Sequence, residues 1–373
     1  MAEQAENAQK RVDACEAVVV GAGIVGAWVA HRLAQNGMET AILEAQSVAG
    51  GASGRSAGLV LTGLPGHYGQ AVAAYGRAKA REVWTLIAEG RERLLDEADA
   101  LGVSVTRTGS LITASDEAEA EMLGEAARLL REDGFDAWFG YVDPLDLGFR
   151  ATLRSPGDAI LDVAAFTRAL VAASGATVHE HTEVDGIQLE DDGVRVWAQG
   201  RTILARMVIL AIDGYAPLFA PYFAERIVSA RNVVLISAPV EETVFERPYC
   251  SAGGRIYGYQ LPDQRVVLGT WPPLDGSEIE QDPDWLAEEE LRQFAGRHLP
   301  DVDWQHAERR SGSGGFTRDG LPIVGRLPER PSVGFAVGMG GRGLSLSPVV
   351  ADRVVDLMLH DADPGPLSAE RLA

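Results

Sequence analysis

Ala17-Val18-Val19-Val20-Gly21-Ala22-Gly23-Ile24-Val25-Gly26, followed by Thr40-Ala41-Ile42-Leu43 and then Glu44, decides the reading of this 373-residue chain. An apolar run leads into a glycine turn, and each glycine has a separate job. Gly21 permits the tight strand-to-helix turn, Gly23 lets the backbone approach a pyrophosphate, and Gly26 lets the helix pack closely on the strand. A helix is predicted from Ala27 to Asn36, with Gly37 as its stop, and its N-terminal end faces the diphosphate. Gly21, Gly23, Ile24, Val25 and Gly26 are therefore candidate cofactor-binding residues. Glu44, at the tip of the second strand with Ala45 beside it, is placed to accept hydrogen bonds from ribose hydroxyls, and its charge repels a 2′-phosphate. FAD or NAD fits this pattern and NADP does not. The alternative is a glycine-rich turn with no ligand; the strand before it, the helix after it and Glu44 beyond argue against that.

Composition narrows the class. A formal charge of -21 opposes binding to nucleic acid or to anionic membrane surfaces, because both would repel it. The chain is long enough for two domains, or for one large core with an inserted lobe. Of its 33 basic residues only Lys10 and Lys79 are lysines. Cys15 and Cys250 are too few for a disulfide framework and lack metal-ligand spacing, so a cytoplasmic setting and no metal are expected. Residues 1–14 are polar and read as a loose tail, and no stretch approaches a membrane span.

Beyond the first βαβ unit lies the loop Gly50 to Gly58, then an amphipathic helical stretch from Gly69 to Leu101 with apolar residues at three and four spacing. Val105 to Ala114 reads as a strand and Asp116 to Asp133 as a helix ending at Gly134. A helix from Val163 to Ala173, a strand at Thr177 to His181 and a hairpin of Gly186–Leu189 with Val194–Ala198 follow. The continuous apolar run Met207 to Ile212 fits a buried parallel strand. Tyr257–Leu261 and Val266–Thr270 form a second predicted hairpin, Trp285–Arg297 a helix, and Val333–Gly338 a strand leading through a glycine loop into a helix from Leu344 to Leu359. Nucleotide-fold segments at both chain ends, with a lobe between them, suit a cofactor longer than NAD.

Two further motifs complete the pattern: Gly51-Ala52-Ser53-Gly54-Arg55-Ser56-Ala57-Gly58, and Thr317-Arg318-Asp319-Gly320-Leu321-Pro322-Ile323-Val324-Gly325 with Gly338-Met339-Gly340-Gly341-Arg342-Gly343-Leu344. With the N-terminal fingerprint they resemble, in order and along the whole chain, the D-amino-acid oxidase superfamily of flavoproteins, including its glycine oxidase, sarcosine oxidase and γ-glutamylputrescine oxidase branches. The resemblance implies an α/β fold: a Rossmann-like FAD-binding domain (15–85, 155–225 and 310–373) and a discontinuous substrate domain (86–154 and 226–309), an α+β lobe on a mixed sheet with helices. It implies non-covalent FAD, with Ser53, Gly54, Arg55, Ser56, Ala57 and Gly58 along the pyrophosphate and flavin edge. Val184 joins the cofactor-binding set, as do Gly340, Gly341, Arg342, Gly343 and Leu344 at the start of the last helix. The implied reaction is hydride removal from a carbon bearing nitrogen in a small-molecule amine or amino acid, with O2 or another acceptor reoxidising the flavin. A 2-hydroxy-acid or alcohol oxidoreductase of the same fold is the alternative.

Departures from the family pattern carry information. Val267 stands where sarcosine oxidases place an oxygen-activating lysine, Gly312 near their flavin-tethering cysteine, and Gly314 where glycine oxidases place a carboxylate-gripping arginine. Either Arg309, Arg310 or Arg342 takes that last role, or the substrate lacks an α-carboxylate. The candidate catalytic residues are Tyr257 and Tyr259, which share a strand face by period-two alternation, Arg342, and His67, which either lines the site's mouth or is exposed on its loop. His179 and His181 read as a surface pair. Asp319 and Pro322 fix a turn.

Overall fold

The computed structural model describes residues 12–271 and 284–372. Its first sheet has eight strands. Val12–Val20 lies parallel to Thr40–Leu43 on one side and to Arg201–Leu210 on the other, and Thr40–Leu43 continues to Thr177–His179. The expected tail is thus shortened: residues 12–14 belong to the opening strand, and 1–11 lie outside the described residues. Val18 and Val19 are fully buried, as unbroken apolar runs in a sheet covered on both faces must be.

Arg201–Leu210 changes partners midway. Its first half pairs antiparallel with Val194–Ala198, which forms a hairpin with Val184–Glu190, while Val208–Leu210 runs parallel to Val333–Phe335. Ile323–Leu327 then adds antiparallel to Arg330–Val337. Only the apolar second half was expected as a strand, because Arg201 and Arg206 interrupt the hydrophobic run before it.

Four helices pack one against the next. Ile24–Gln35 packs against Val163–Ser174 and Gly343–His360, and Arg77–Ala100 packs against Gly343–His360. Sequence-local signals set their ends: Asp162 accepts from the Ala165 N–H at 2.9 Å, and Gly175 closes that helix in the left-handed region at φ 64°. Arg77–Ala100 is one continuous helix, so a boundary at 85/86 falls inside it. It approaches the last helix so closely that a Cβ on Gly90 would stand 2.2 Å from the Ser345 carbonyl oxygen.

The second sheet, also of eight strands, runs in the order Glu308–Phe316, Val228–Pro239, Arg265–Thr270, Ile256–Gln260, Tyr249–Ser251, Ser110–Ala114, Ala151–Ser155, Trp138–Gly140. All neighbours are antiparallel except Tyr249–Ser251 against Ser110–Ala114. Leu59–Val60, Ala159–Leu161 and Val105–Thr106 make a small third sheet. The strand expected over 105–114 is broken at Gly109 (φ 70°), while the amphipathic helix pair expected over 69–101 is present as Tyr68–Tyr75 and Arg77–Ala100, meeting at Gly76 (φ 80°). His181 sits at φ 51° beyond the end of its strand, so it shares no strand face with His179. Among the described residues no helix is long and apolar enough to cross a membrane, and no metal-ligand cluster occurs.

Candidate active site

Val20, Leu210 and Val337 end three parallel strands on the same side of the first sheet. The chain leaving each one enters the wall of a single cleft, through Gly23, through Ala211 and Asp213, and through Met339–Gly341; the space in and before the cleft, open solvent included, is about 1120 Å³. A crevice outside the carboxyl ends of parallel strands is where ligands bind in such sheets.

The nucleotide end is sterically determined. Gly21 has φ 101°, and a Cβ on Gly26 would stand 1.9 Å from the Gly21 carbonyl oxygen, so neither position tolerates a side chain. A Cβ on Gly23 would come within 3.2 Å of Ser53 Oγ, which itself accepts from the Ile24 N–H at 2.9 Å. Ser53 thus fastens its loop to the N-terminal end of the helix Ile24–Gln35. Gly23, Ile24, Val25, Ser53, Arg55, Ser56 and Ala57 all line the cleft. Gly54 and Gly58 stand behind it: a Cβ on either would lie 2.1 Å from a carbonyl oxygen, that of Ala49 or of Leu161. Glu44 lies off the cleft and braces the turn, accepting from the Ala22 N–H at 2.7 Å and the Gln46 N–H at 2.8 Å. Ala45 is exposed, and Val184 packs on the sheet's other core, away from the cleft.

Gly340, Gly341, Arg342, Gly343 and Leu344 also line the cleft, where the helix Gly343–His360 begins. Arg342 is only 6% exposed. Its Nε donates to the Gly63 carbonyl at 2.6 Å, its Nη1 to the Gly341 carbonyl at 3.1 Å, and the Cys250 thiol bonds to it as well. Burial pulls the guanidinium below its ordinary pKa and pushes the Cys250 thiol up. Among the described residues no carboxylate pairs with Arg342; Asp158 acts on it only through space. Asp158 is itself buried, and Oδ1 accepts from the Thr62 N–H (2.9 Å), the Thr62 hydroxyl (2.7 Å) and Arg91 Nη1 (3.2 Å), while Oδ2 accepts from the Ser110 hydroxyl at 2.6 Å.

The second sheet supplies the facing wall. Tyr257, 1% exposed, has its ring 5.2 Å from that of Trp271, and its hydroxyl bonds the Asn232 side chain. Phe316 and Ala230 continue the wall, as do Gly312 and Gly314, the two positions where the family pattern calls for a tether and an arginine. Tyr259 does not reach the cleft: it packs with Ile236 and Val267, and burial pushes its hydroxyl up to about 12. Arg309 pairs with Glu288 at 3.0 Å and Arg310 with Glu308 at 2.7 Å, both outside the cleft. Of the three candidate arginines Arg342 alone enters it.

His67 is neither on the cleft nor exposed. Its ring lies beside Gly69, where a Cβ would stand 3.2 Å from Nδ1, and both ring nitrogens are buried without a hydrogen-bond partner among the described residues. The helix Glu117–Glu132, distant in sequence, packs against the helix Tyr68–Tyr75 that begins beside it.

Sequence reasoning missed Asp213. Its backbone is left-handed (φ 41°), and its carboxylate lines the cleft, accepting from the Met339 N–H at 2.8 Å and the Gly315 N–H at 2.9 Å. Burial raises its pKa, and the N–H groups of Met339, Gly315, Gly214 and Gly338 pull it back down. A lone aspartate followed by glycine reads as a turn, so no local signal marked it.

A cleft lined by a glycine turn that opens one helix, by a second glycine loop that opens another, and by Tyr257, Trp271 and Phe316 suits a flavin dinucleotide. The residues present fit FAD, since the backbone approach at Gly23 and Gly341 leaves little or no room for a Cβ. Residues 16–357 match the family described as DAO, FAD dependent oxidoreductase, and the chain belongs to it. Glycine oxidase of Geobacillus kaustophilus is 25% identical over 366 residues, covering 92% of each chain. Gamma-glutamylputrescine oxidoreductase of Escherichia coli is 23% identical over 400 residues, covering 94% of this chain and 84% of its own. The crystal structure of glycine oxidase from Bacillus cereus superposes with a TM-score of 0.76 at 21% identity, covering 95% of this chain and 97% of that one. The protein is an FAD-dependent oxidoreductase.

Proposed function

We propose that this enzyme oxidises the C–N bond of a carboxylate-bearing amine or amino acid, with FAD held non-covalently and Arg342 gripping the carboxylate. One observation carries the reading: a buried guanidinium lines the cleft and has carbonyl and thiol partners but, among the described residues, no carboxylate. A guanidinium has five N–H donors in a planar fork, so three bonds leave room for an anionic ligand. Bound FAD supplies a two-electron acceptor for the hydride leaving the substrate carbon. Arg342 orients that carbon by holding the acid group beside it, and the rings of Tyr257, Trp271 and Phe316 keep water from the reacting face. An apolar wall also disfavours an ammonium and so favours the neutral amine that can release hydride. The imine product then adds water and breaks down to a carbonyl compound and an amine or ammonia.

Non-covalent binding is supported by Gly312 at the tether position, by Cys15 lying in the opening strand and by Cys250 being engaged with Arg342. Neither His67 nor His306 lines the cleft, which leaves a hydroxy-acid reaction without the histidine base it would call for. Val267, buried against Tyr259, offers no cation for oxygen activation, so O2 by another route or a different acceptor reoxidises the cofactor.

The test is anaerobic mixing of the yellow protein with D- and L-amino acids, N-methyl amino acids, polyamines and 2-hydroxy acids, followed by admission of air. Flavin bleaching by a carboxylate-bearing amine is expected, and the rate of recovery in air separates O2 from other acceptors. Bleaching by hydroxy acids alone, or by polyamines alone, overturns the reading.

A further inference from the structure

We propose that Asp213 is a fixed negative charge set into the flavin cleft that holds the reduction potential of bound FAD down. The proposal rests on FAD occupying this cleft, and three separate observations point to it.

Asp213 lines the cleft from the left-handed region, at φ 41°, a conformation that aspartate adopts more readily than most residues with a side chain. N–H groups from the next residue and from two distant segments converge on its two oxygens: Gly214 beside it, Gly315 on the strand Glu308–Phe316, and Gly338 and Met339 leading into the last helix. All four are donors, which favours the ionised carboxylate against the burial that raises its pKa. Finally, among the described residues no arginine, lysine or histidine pairs with it, so its charge is spread over amides and not cancelled by a cation.

Taking hydride adds negative charge to the cofactor. The N-terminal end of Gly343–His360 and the Arg342 guanidinium both favour that gain. Asp213 opposes it in the same low-dielectric cleft and weakens binding of the reduced cofactor relative to the oxidised one. Simple clamping of the loops would affect both redox forms alike.

Asp213→Asn preserves shape and removes the charge. Asp213→Gly removes the charge and also suits φ 41°, so it serves if the first variant does not fold. Holoenzyme of each is titrated anaerobically with a reductant against a reference dye, alongside FAD affinity. The expected result is an upward shift of the two-electron midpoint equivalent to at least roughly tenfold tighter relative binding of reduced FAD, about 30 mV. A variant that retains FAD at the wild-type potential overturns the proposal. Folded variants that both fail to bind FAD also overturn it, because Asp213 would then be a clamp. A wild-type protein that binds no FAD would instead sink the assignment of the cleft itself.

Discussion

Arg342 Nε donates to the carbonyl oxygen of Gly63 across 2.6 Å and 279 positions of sequence, keying the loop that opens the last helix to the loop after Leu59–Val60. A neutral carbonyl fixes the plane of the guanidinium without spending its charge, so the charge remains available to a ligand.

Arg342→Ala should therefore leave FAD content intact and raise KM for a carboxylate-bearing substrate roughly 10–100-fold, the worth of a hydrogen bond to a charged group. Arg342→Lys should recover only part of the loss, because an ammonium lacks the planar fork. Steady-state kinetics on the purified variants check this, and an unchanged KM in Arg342→Ala would remove Arg342 from substrate binding.

The same carbonyl depends on Asp158, which holds the preceding residue Thr62 by both its N–H and its hydroxyl. Asp158 is 1% exposed, so Asp158→Ala strands three donors and takes one partner from Arg91, which keeps Glu92. A loss of about 3–5 kcal/mol in unfolding free energy is expected, from about 1–3 kcal/mol for each donor left unsatisfied. Urea unfolding measures it; a loss below about 1 kcal/mol would show that solvent replaces the carboxylate.

Two glycines of the first helix region separate packing from conformation. Gly26→Ala drives a Cβ into the Gly21 carbonyl oxygen at 1.9 Å, whereas a Cβ on Gly37 would meet nothing within 4 Å and would be opposed only by the backbone φ of 73°. Gly26→Ala should lose the flavin absorbance of the purified protein. Gly37→Ala should stay yellow with a stability loss of about 1 kcal/mol. Equal flavin retention in both would mean that the turn at Gly21 can move.

Burial holds the His67 pKa below its ordinary 6.5. Between the folded and unfolded pKa values the unfolded chain binds a proton that the folded chain does not, so stability rises with pH there and falls as pH drops below about 6.5. His67→Phe should flatten the pH dependence of unfolding free energy between about pH 7 and 5 relative to wild type. Parallel slopes for the two proteins would show that His67 is free to charge in the folded state.

How far the sequence could be read depended on how local each cause was. Gly21, Gly23 and Gly26 were legible because their constraint is a turn within six residues. Ser53 and Arg342 were legible because each stands in a glycine-rich run with no other structural purpose. Asp213 was not, since Gly315 and Met339, which give it meaning, lie over a hundred residues away. His67 was misplaced for the same reason: the helix that packs beside it is invisible in a Gly-Pro-rich loop. Tyr257 and Tyr259 share a strand face as alternation requires, but only the surrounding strands decide that Tyr257 meets the cleft.

The change of partners along Arg201–Leu210 bears on how the molecule comes into being. During synthesis its first half can close a hairpin at once with a neighbour just behind it, but its second half must wait for Val333–Phe335, more than a hundred residues further on. The glycine loop that completes the cleft follows directly after that late strand. A growing chain can therefore fold the nucleotide turn early, yet it can grip the whole cofactor only when almost fully made, so the capture of FAD marks a finished molecule.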